Sequence, residues 1–486
     1  MSSKTNLSVG EVREAAPKTE RAASAHARAS EALGRREMNV AVLKTKAEQA
    51  LTETFAMIAD KLPGAPAVLK ARKEAIGRFG ALGLPHRRIE AWKYTDLRNL
   101  MKDALPPSLG APMSVKPAEL AAALGPLAKL DAMRLVFVDG AYAEALSSAG
   151  DHDRVRVAPL ARALAGEGDA APGDLLALKR SEDEPILALN TAYVTDGAVI
   201  GIAADARLQK PLLIVNVSAS PEPRFVVTRN IVSVGAGAHA TIIEAFLALP
   251  GAASEAQASA VTEIGVGKDA RVAHVKCAIG EGRNTHLSNW LVDLAQGADY
   301  RGFQLTAGVA LARNQLAVTF EGGGAKIDLS GAFLALGHEH VDTTLLVDHA
   351  VPGCLSRELF KGVLADEARG IFQGKVIVRP DAQKSDGKQM AQVLMLSPNA
   401  EFDSKPELEI YADDVICGHG STSADLDEET LFYCRSRGIP EAEARALLIE
   451  SFIGEAIAKV EREDVCEALA AFARAWLDNL PPAARA

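Results

Sequence analysis

The chain has 486 residues, with 53 Lys and Arg against 63 Asp and Glu and a formal net charge of -10. That length admits two to three folding units or one long repeat array, and an acidic balance without any Lys/Arg-rich block argues against a nucleic-acid-binding surface. Five cysteines, Cys277, Cys354, Cys417, Cys434 and Cys466, are odd in number and form no CxxC pair, which suits free thiols in a reducing cytoplasm better than a disulfide framework. No apolar run is long enough to span a bilayer, and residues 1–37 contain no apolar stretch of the kind a secretory signal needs.

In chain order, residues 1–37 are rich in Ala, Ser, Arg and Glu and lack aromatics, so they read as a disordered leader. Met38 is an alternative start, and the sequence leaves open which is used. Residues 38–105 form an N-terminal helical domain: Val42, Leu43, Ala50, Leu51, Phe55, Ile58 and Leu62 recur at helical spacing, Pro63-Gly64 stops that helix, and a second carries Leu69, Ile76 and Phe79. The cluster of Trp92 and Tyr94 beside Arg87, Arg88 and Lys93 is expected to pack these helices onto the rest of the protein, since such rings bury large areas. Residues 106–186 are Ala-, Pro- and Gly-rich and read as a loose connection with one strand candidate, Leu135 to Val138.

From about Leu187 to residue 420 the period changes to two. A small or polar turn, an alanine and an alternating apolar stretch recur at Ala206, Ala238, Ala270, Ala298, Ala325, Ala368 and Ala400, in steps of 32, 32, 28, 27, 43 and 32 residues. Such a recurrence signals stacked units that bury a continuous core between neighbours. Strands with small-residue corners and no intervening helices favour a β-solenoid over a βαβ sheet, with a β-sandwich as the alternative. After it, residues 421–486 form a C-terminal helical domain. Asp427, Glu428 and Glu429 cap a helix, Gly438 ends it, Pro440 opens a second with Ala444, Leu447, Leu448, Phe452, Ile453 and Ile457 on one face, and a third carries Val465, Leu469, Phe472 and Leu477.

The most chemical stretch is Asp413-Asp414-Val415-Ile416-Cys417-Gly418-His419-Gly420. On a strand, residues i and i+2 share a face, so Cys417 and His419 offer a thiolate and an imidazole to one iron or zinc ion. Four ligands are usual for such centres, so the pair needs ligands from elsewhere in the chain or from a second protein. The structural alternative is a buried Cys and a capping His beside a turn. His338 and His340, with His349 and Cys354 downstream, form a second metal-type constellation, and a self-sufficient solenoid metalloenzyme using His338, His340 and His349 is the competing reading. A nucleotide site is not expected: Gly370 to Val376 has the wrong spacing for a phosphate loop and lacks its Ser/Thr, Gly322-Gly323-Gly324 reads as a corner, and an ATP-driven role would need an ATPase partner.

Several stretches together resemble the SufB/SufD family of the SUF iron-sulfur cluster assembly system. They are Glu90-Ala91-Trp92-Lys93-Tyr94-Thr95, His340-Val341-Asp342, Asp348-His349-Ala350, Lys361-Gly362-Val363, Phe372-Gln373-Gly374-Lys375, Ala382-Gln383-Lys384-Ser385-Asp386, Lys405-Pro406-Glu407-Leu408-Glu409-Ile410, Tyr411 to Thr422, and Leu431 to Ile439. The resemblance spans roughly residues 40 to 475. The Asp413–Gly420 segment resembles the SufD branch, whereas Cys434 is a SufB-type detail. The resemblance implies a mainly β protein with α-helices: a right-handed parallel β-helix core flanked by N-terminal and C-terminal helical domains. It also implies a non-catalytic scaffold that pairs with a SufB paralogue and docks the SufC ATPase on its C-terminal helices; the face of Leu447, Leu448 and Phe452 is then expected to support or border that contact, and whether the chain pairs with itself in the absence of SufB stays open. Cys417 and His419 would then lie at the SufB-facing end and share a transient iron ion or nascent cluster with SufB. Whether iron, persulfide or flavin is handled stays open.

Overall fold

The computed structural model describes residues 44–110, 113–148, 154–167, 174–176 and 184–480. The expected leader, residues 1–37, and the expected helix start at residues 38–43 lie outside the described residues.

Two helices open the described chain, α1 (Lys46–Ile58) and α2 (Pro66–Leu82). Thr45 and Glu48 cap α1 reciprocally, satisfying two of its orphan N–H groups. The buried Glu48 carboxylate also accepts from Leu84 N at 2.6 Å and Arg98 Nε at 2.9 Å, so one side chain fixes a helix start to the chain that follows α2. Farther on come α3 (Pro117–Leu124) and α4 (Pro185–Tyr193). Every residue of α4 is buried, its polar Asn190 donating to Thr228 O and Ser259 O and Thr191 accepting from Arg229, and it occupies the place where strand periodicity was expected to begin.

The strands are β1 (Met133–Val138), β2 (Ala141–Tyr142), β3 (Val155–Pro159), β4 (Ala198–Ile202), β5 (Leu212–Ser218), β6 (Phe225–Val234), β7 (His239–Ala248), β8 (Gln257–Val266), β9 (Arg271–Ile279), β10 (Thr285–Leu294), β11 (Asp299–Ala307), β12 (Leu311–Phe320), β13 (Lys326–Ala335), β14 (His340–His349), β15 (Leu355–Leu364), β16 (Arg369–Val378), β17 (Asp386–Met395), β18 (Glu401–Ile410) and β19 (Ile416–Ala424). From β4 onward the chain alternates between two sheets, odd strands stacking in one and even strands in the other, all neighbours parallel. The result is a β-solenoid of about 8 turns with helices at both termini. The stretch 106–186, expected to be a loose connection, is built into it: β1 pairs with β5 in parallel and β3 with β4 antiparallel.

The alanine repeat is the corner row. Ala238, Ala270, Ala298 and Ala325 are buried, each follows a residue with positive φ (Gly237, Asp269, Gly297, Gly324), and the carbonyl of each accepts from the first residue or turn of the next coil, as Ala270 O does from Asp299 N at 2.9 Å. Cys354 and Ser385 continue this row, behind Gly353 and Lys384, and Asp386 N donates to Cys354 O at 3.0 Å. Cys354 is therefore a small apolar corner residue. The 43-residue step in the alanine series arises because Ala368 and Ala400 precede even strands, on the opposite corner.

Inward side chains fill the lumen, among them Ile242, Val272, Leu316, Leu345 and Val376. Outward residues of the odd sheet pack under α3 and under α6 (Glu441–Ile457) and α7 (Glu463–Asp478), which follow α5 (Glu428–Ser436). Outward residues of the even sheet pack against α1, α2 and α4. A fully buried Leu, Ile or Val in any of these layers contributes roughly 1.5–3 kcal/mol.

Candidate functional site at the last coil

Cys417 and His419 lie on β19, the end strand of the odd sheet, and β18 ends the even sheet. The corner that delivers β19 is held by Asp414 N donating to Gln383 Oε1 at 2.9 Å, Lys384 N donating to Asp414 O at 2.7 Å, and a Lys384–Asp414 ion pair. Ile416 N then donates to Ser385 O at 2.9 Å, which sets the register. Cys417 pairs with Gly387 and His419 with Gln389, which continue inward to Ser356 and Glu358 on β15. Both candidate ligands thus belong to the lumen-facing row, as their i, i+2 spacing requires.

At Gly387 a side chain would meet Ser356 Oγ at 3.3 Å and Cys417 Sγ at 3.6 Å, so glycine leaves the space into which the thiol points. Half-burial pushes the Cys417 thiol up, Asp386 and Glu358 adding to the rise while a backbone hydrogen bond at Gly387 opposes it. A cation is then what would favour its thiolate. His419 is exposed. Among the described residues no group of three or more His, Cys, Asp or Glu is placed to hold a metal ion, so Cys417 and His419 remain a partial ligand set. Around them the last coil presents Ile416, 65% exposed, and Tyr411, 61% exposed. A cleft of about 440 Å³ beside β19 is lined by Asp328, Arg357, Glu358, Lys388, Gln389, Met390 and Lys459 together with Cys417 and His419.

Comparison with known proteins decides the family. Residues 45–214 match the SufBD protein N-terminal region, and residues 216–452 match the SufBD core domain of SUF-system FeS cluster assembly. The iron-sulfur cluster assembly protein SufD of Escherichia coli is 31% identical over 376 residues, 77% of this chain and 84% of that protein. An iron-sulfur cluster assembly SufBD family protein of Synechocystis is 30% identical over 402 residues, 81% of this chain and 87% of its own length. SufD of Bacillus subtilis is 26% identical over 292 residues. This chain belongs to the SufBD family.

Within this SufBD fold the three histidines of the competing metal constellation part company. His338 lies in the turn before β14, 84% exposed, with Nδ1 3.4 Å from Glu367. His340 faces outward, its Nε2 2.9 Å from Thr95 Oγ1, and burial pushes its imidazole down to about 4. His349 faces the lumen, its Nε2 3.2 Å from Ser356 Oγ and its ring 4.5 Å from Phe320. His340 and His349 are nine positions apart on one strand, an odd number, so the pleat sends them to opposite faces. Gly370 to Val376 likewise is strand β16 and not a phosphate loop.

The Glu90–Thr95 segment serves the outer face. Trp92 is 1% exposed, and the Arg313 guanidinium sits 4.3 Å from its ring centroid, pairs with Asp342 and donates to Ala91 O at 2.7 Å. Thr95 Oγ1 donates to Asp342. This clamp accounts for both Trp92 and His340, as the packing expectation for Trp92 required.

On α6, Leu447 is 47% exposed, but Leu448 and Phe452 are half-buried against the solenoid. The Lys361 ammonium lies 4.2 Å from the Phe452 ring centroid and pairs with Glu455. Most of the apolar stripe expected to meet a partner therefore covers the odd sheet. Sequence reasoning passed over the rings left outward, Phe432 at 72% and Tyr433 at 58% exposure on α5. The signal was available, since both sit on a helix whose only buried residue is Leu431.

Proposed function

We propose that this chain is a non-catalytic scaffold subunit of a cytoplasmic SufB–SufC–SufD assembly for building iron-sulfur clusters. It pairs its last coil with a SufB paralogue and contributes Cys417 and His419 to an iron or nascent-cluster site completed by SufB. The observation that carries this reading is the position of a thiol and an imidazole on one face of an end strand, with too few protein ligands nearby for a closed metal site. Thiolate and imidazole suit iron and sulfide chemistry. An end strand with unpaired N–H and C=O groups is a ready template for another solenoid, and apolar Ile416 and Tyr411 flank it.

The ATP-driven step belongs to a SufC ATPase docked on the C-terminal helices, through exposed side chains such as Phe432, Tyr433 and Leu447. The test is reconstitution with SufB and SufC followed by anaerobic iron and sulfide analysis. Cys417→Ala with His419→Ala should lower cluster content and transfer at least severalfold while the assembly stays intact. Unchanged cluster content and transfer would remove the pair from the mechanism. Tyr433→Asp with Leu447→Asp should abolish co-purification of SufC from a folded subunit, and retained binding would displace that contact.

A further inference from the structure

Behind Cys417 and His419 the lumen does not close with apolar side chains. The row that ends at His419 runs inward through Gln389 to Glu358, one residue per coil in register, hence at intervals of about 4.8 Å. The row that ends at Cys417 runs through Gly387 to Ser356, whose Oγ lies beside His349. Glu358 and Gln389 are each 3% exposed and His349 is fully buried. Neither amide atom of Gln389 and not His349 Nδ1 has a hydrogen-bond partner among the described residues, nor has Ser404 Oγ on the inward row of β18; the Glu358 carboxylate has no well-formed partner either, only the Ser356 hydroxyl close enough to oppose the rise of its pKa.

Buried polar atoms in native proteins are nearly always paired, and an unpaired carboxyl group is among the costlier exceptions. Another buried lumen carboxylate, Glu244, has the partners expected of it: Trp290 Nε1 at 3.1 Å and His274 Nε2 at 2.6 Å. Glycine lets the Gln389 amide reach across the lumen. A side chain at Gly374, across the lumen, would come within 1.9 Å of Gln389 Nε2, so the amide projects into space that glycine alone leaves.

From this file of donors we infer that the last coils hold an internal station for a hydrated ferrous ion. The Glu358 carboxylate and Gln389 Oε1 would supply oxygen ligands, water would complete the shell, and the ion would enter past Cys417 and His419. Carboxylate, carbonyl and water are the ligands a hydrated divalent cation accepts without stripping its shell, and the sulfur and nitrogen at the mouth favour iron over magnesium or calcium. Iron here is cargo. The station deepens the proposed function and rests on it for the direction of delivery, but its ligands are distinct from the interfacial pair.

The experiment is anaerobic titration of the isolated chain with Fe(II) against a colorimetric chelator, comparing wild type, Glu358→Gln, Gln389→Ala and the Cys417→Ala/His419→Ala variant, with thermal unfolding to confirm that each is folded. Wild type should bind one Fe(II). Glu358→Gln should weaken it tenfold or more, Gln389→Ala at least threefold, and the Cys417/His419 variant should retain a site. A loss below threefold in Glu358→Gln, absence of Fe(II) binding in wild type, or abolition of all binding in the Cys417/His419 variant would each overturn the station. Because this readout needs neither SufB nor SufC, its failure is separable from failure of the cluster-assembly reading.

Discussion

Glu358 is a carboxyl group whose burial, against a weaker hydrogen bond from the Ser356 hydroxyl and the charge of Arg357, pushes its pKa up to about 8 from 4.5. A raised carboxyl pKa means that the folded chain holds a proton the unfolded chain has released. Stability at this site is therefore complete below about pH 4.5 and declines as pH rises toward 8. The full span corresponds to roughly 4–5 kcal/mol at 1.36 kcal/mol per unit. Glu358→Gln removes the titration. The urea midpoint of the variant should match wild type near pH 5 and exceed it increasingly up to pH 8–9; a constant difference across that range would mean that Glu358 is not buried as a lone carboxyl. His340 and His349 work in the opposite sense. Their imidazoles are held neutral by burial, down to about 4, so their contribution is present above about pH 6.5 and is lost as pH falls toward 4.

Among the elements, the clamp at Trp92 and Thr95 joins the N-terminal helices to strands β12 and β14. The Arg313–Asp342 pair at its centre is 1% and 0% exposed. Removing one member of such a pair leaves a buried charge, at a cost of roughly 3–5 kcal/mol. Arg313→Ala should lower stability by that order and speed proteolysis between α2 and α3, whereas Arg313→Met with Asp342→Leu should recover much of the loss. Equal destabilisation by single and double variants would assign the effect to packing on Trp92 instead.

Much of this organisation could be read from the chain. Period-two segments, alanine corners and glycine punctuation follow from local sterics, and they placed the solenoid and the shared face of Cys417 and His419. The partition of the histidines could not be read that way. His338 falls before the strand begins and His349 falls at odd spacing from His340, so the answer depends on where β14 starts. The inward file from His419 to Glu358 depends on registers between strands about 30 residues apart, which no local pattern specifies. That much of the α6 stripe packs on the odd sheet was equally hidden, because a helix face that meets the odd sheet and one that meets another protein have the same spacing.

For the molecule as a whole, the two ends of the solenoid are unlike. At the N-terminal end β1 and β3 close the first coils, with β2 and β3 running antiparallel to their neighbours, and α1, α2 and α4 pack over the even sheet. At the C-terminal end β18 and β19 have solvent on their outer edges, and most β19 residues are exposed. Natural sheets blunt an edge of this kind with charge or cover it, and here Ile416 and Tyr411 do neither. An interface between two such ends would hydrogen-bond strand to strand and bury the apolar pair, and the same edge would serve a second copy of this chain as well as a SufB solenoid. Ile416→Lys with Tyr411→Lys should leave the thermal midpoint of the subunit within a few degrees of wild type, because both side chains are already in water. The same variant should weaken self-association and capture by SufB together, measured by analytical ultracentrifugation and by co-purification. Loss of one without the other would show that the two partners use different surfaces, and loss of neither would move the pairing face away from the last coil and leave the proposed Cys417 and His419 site without a protein to complete it.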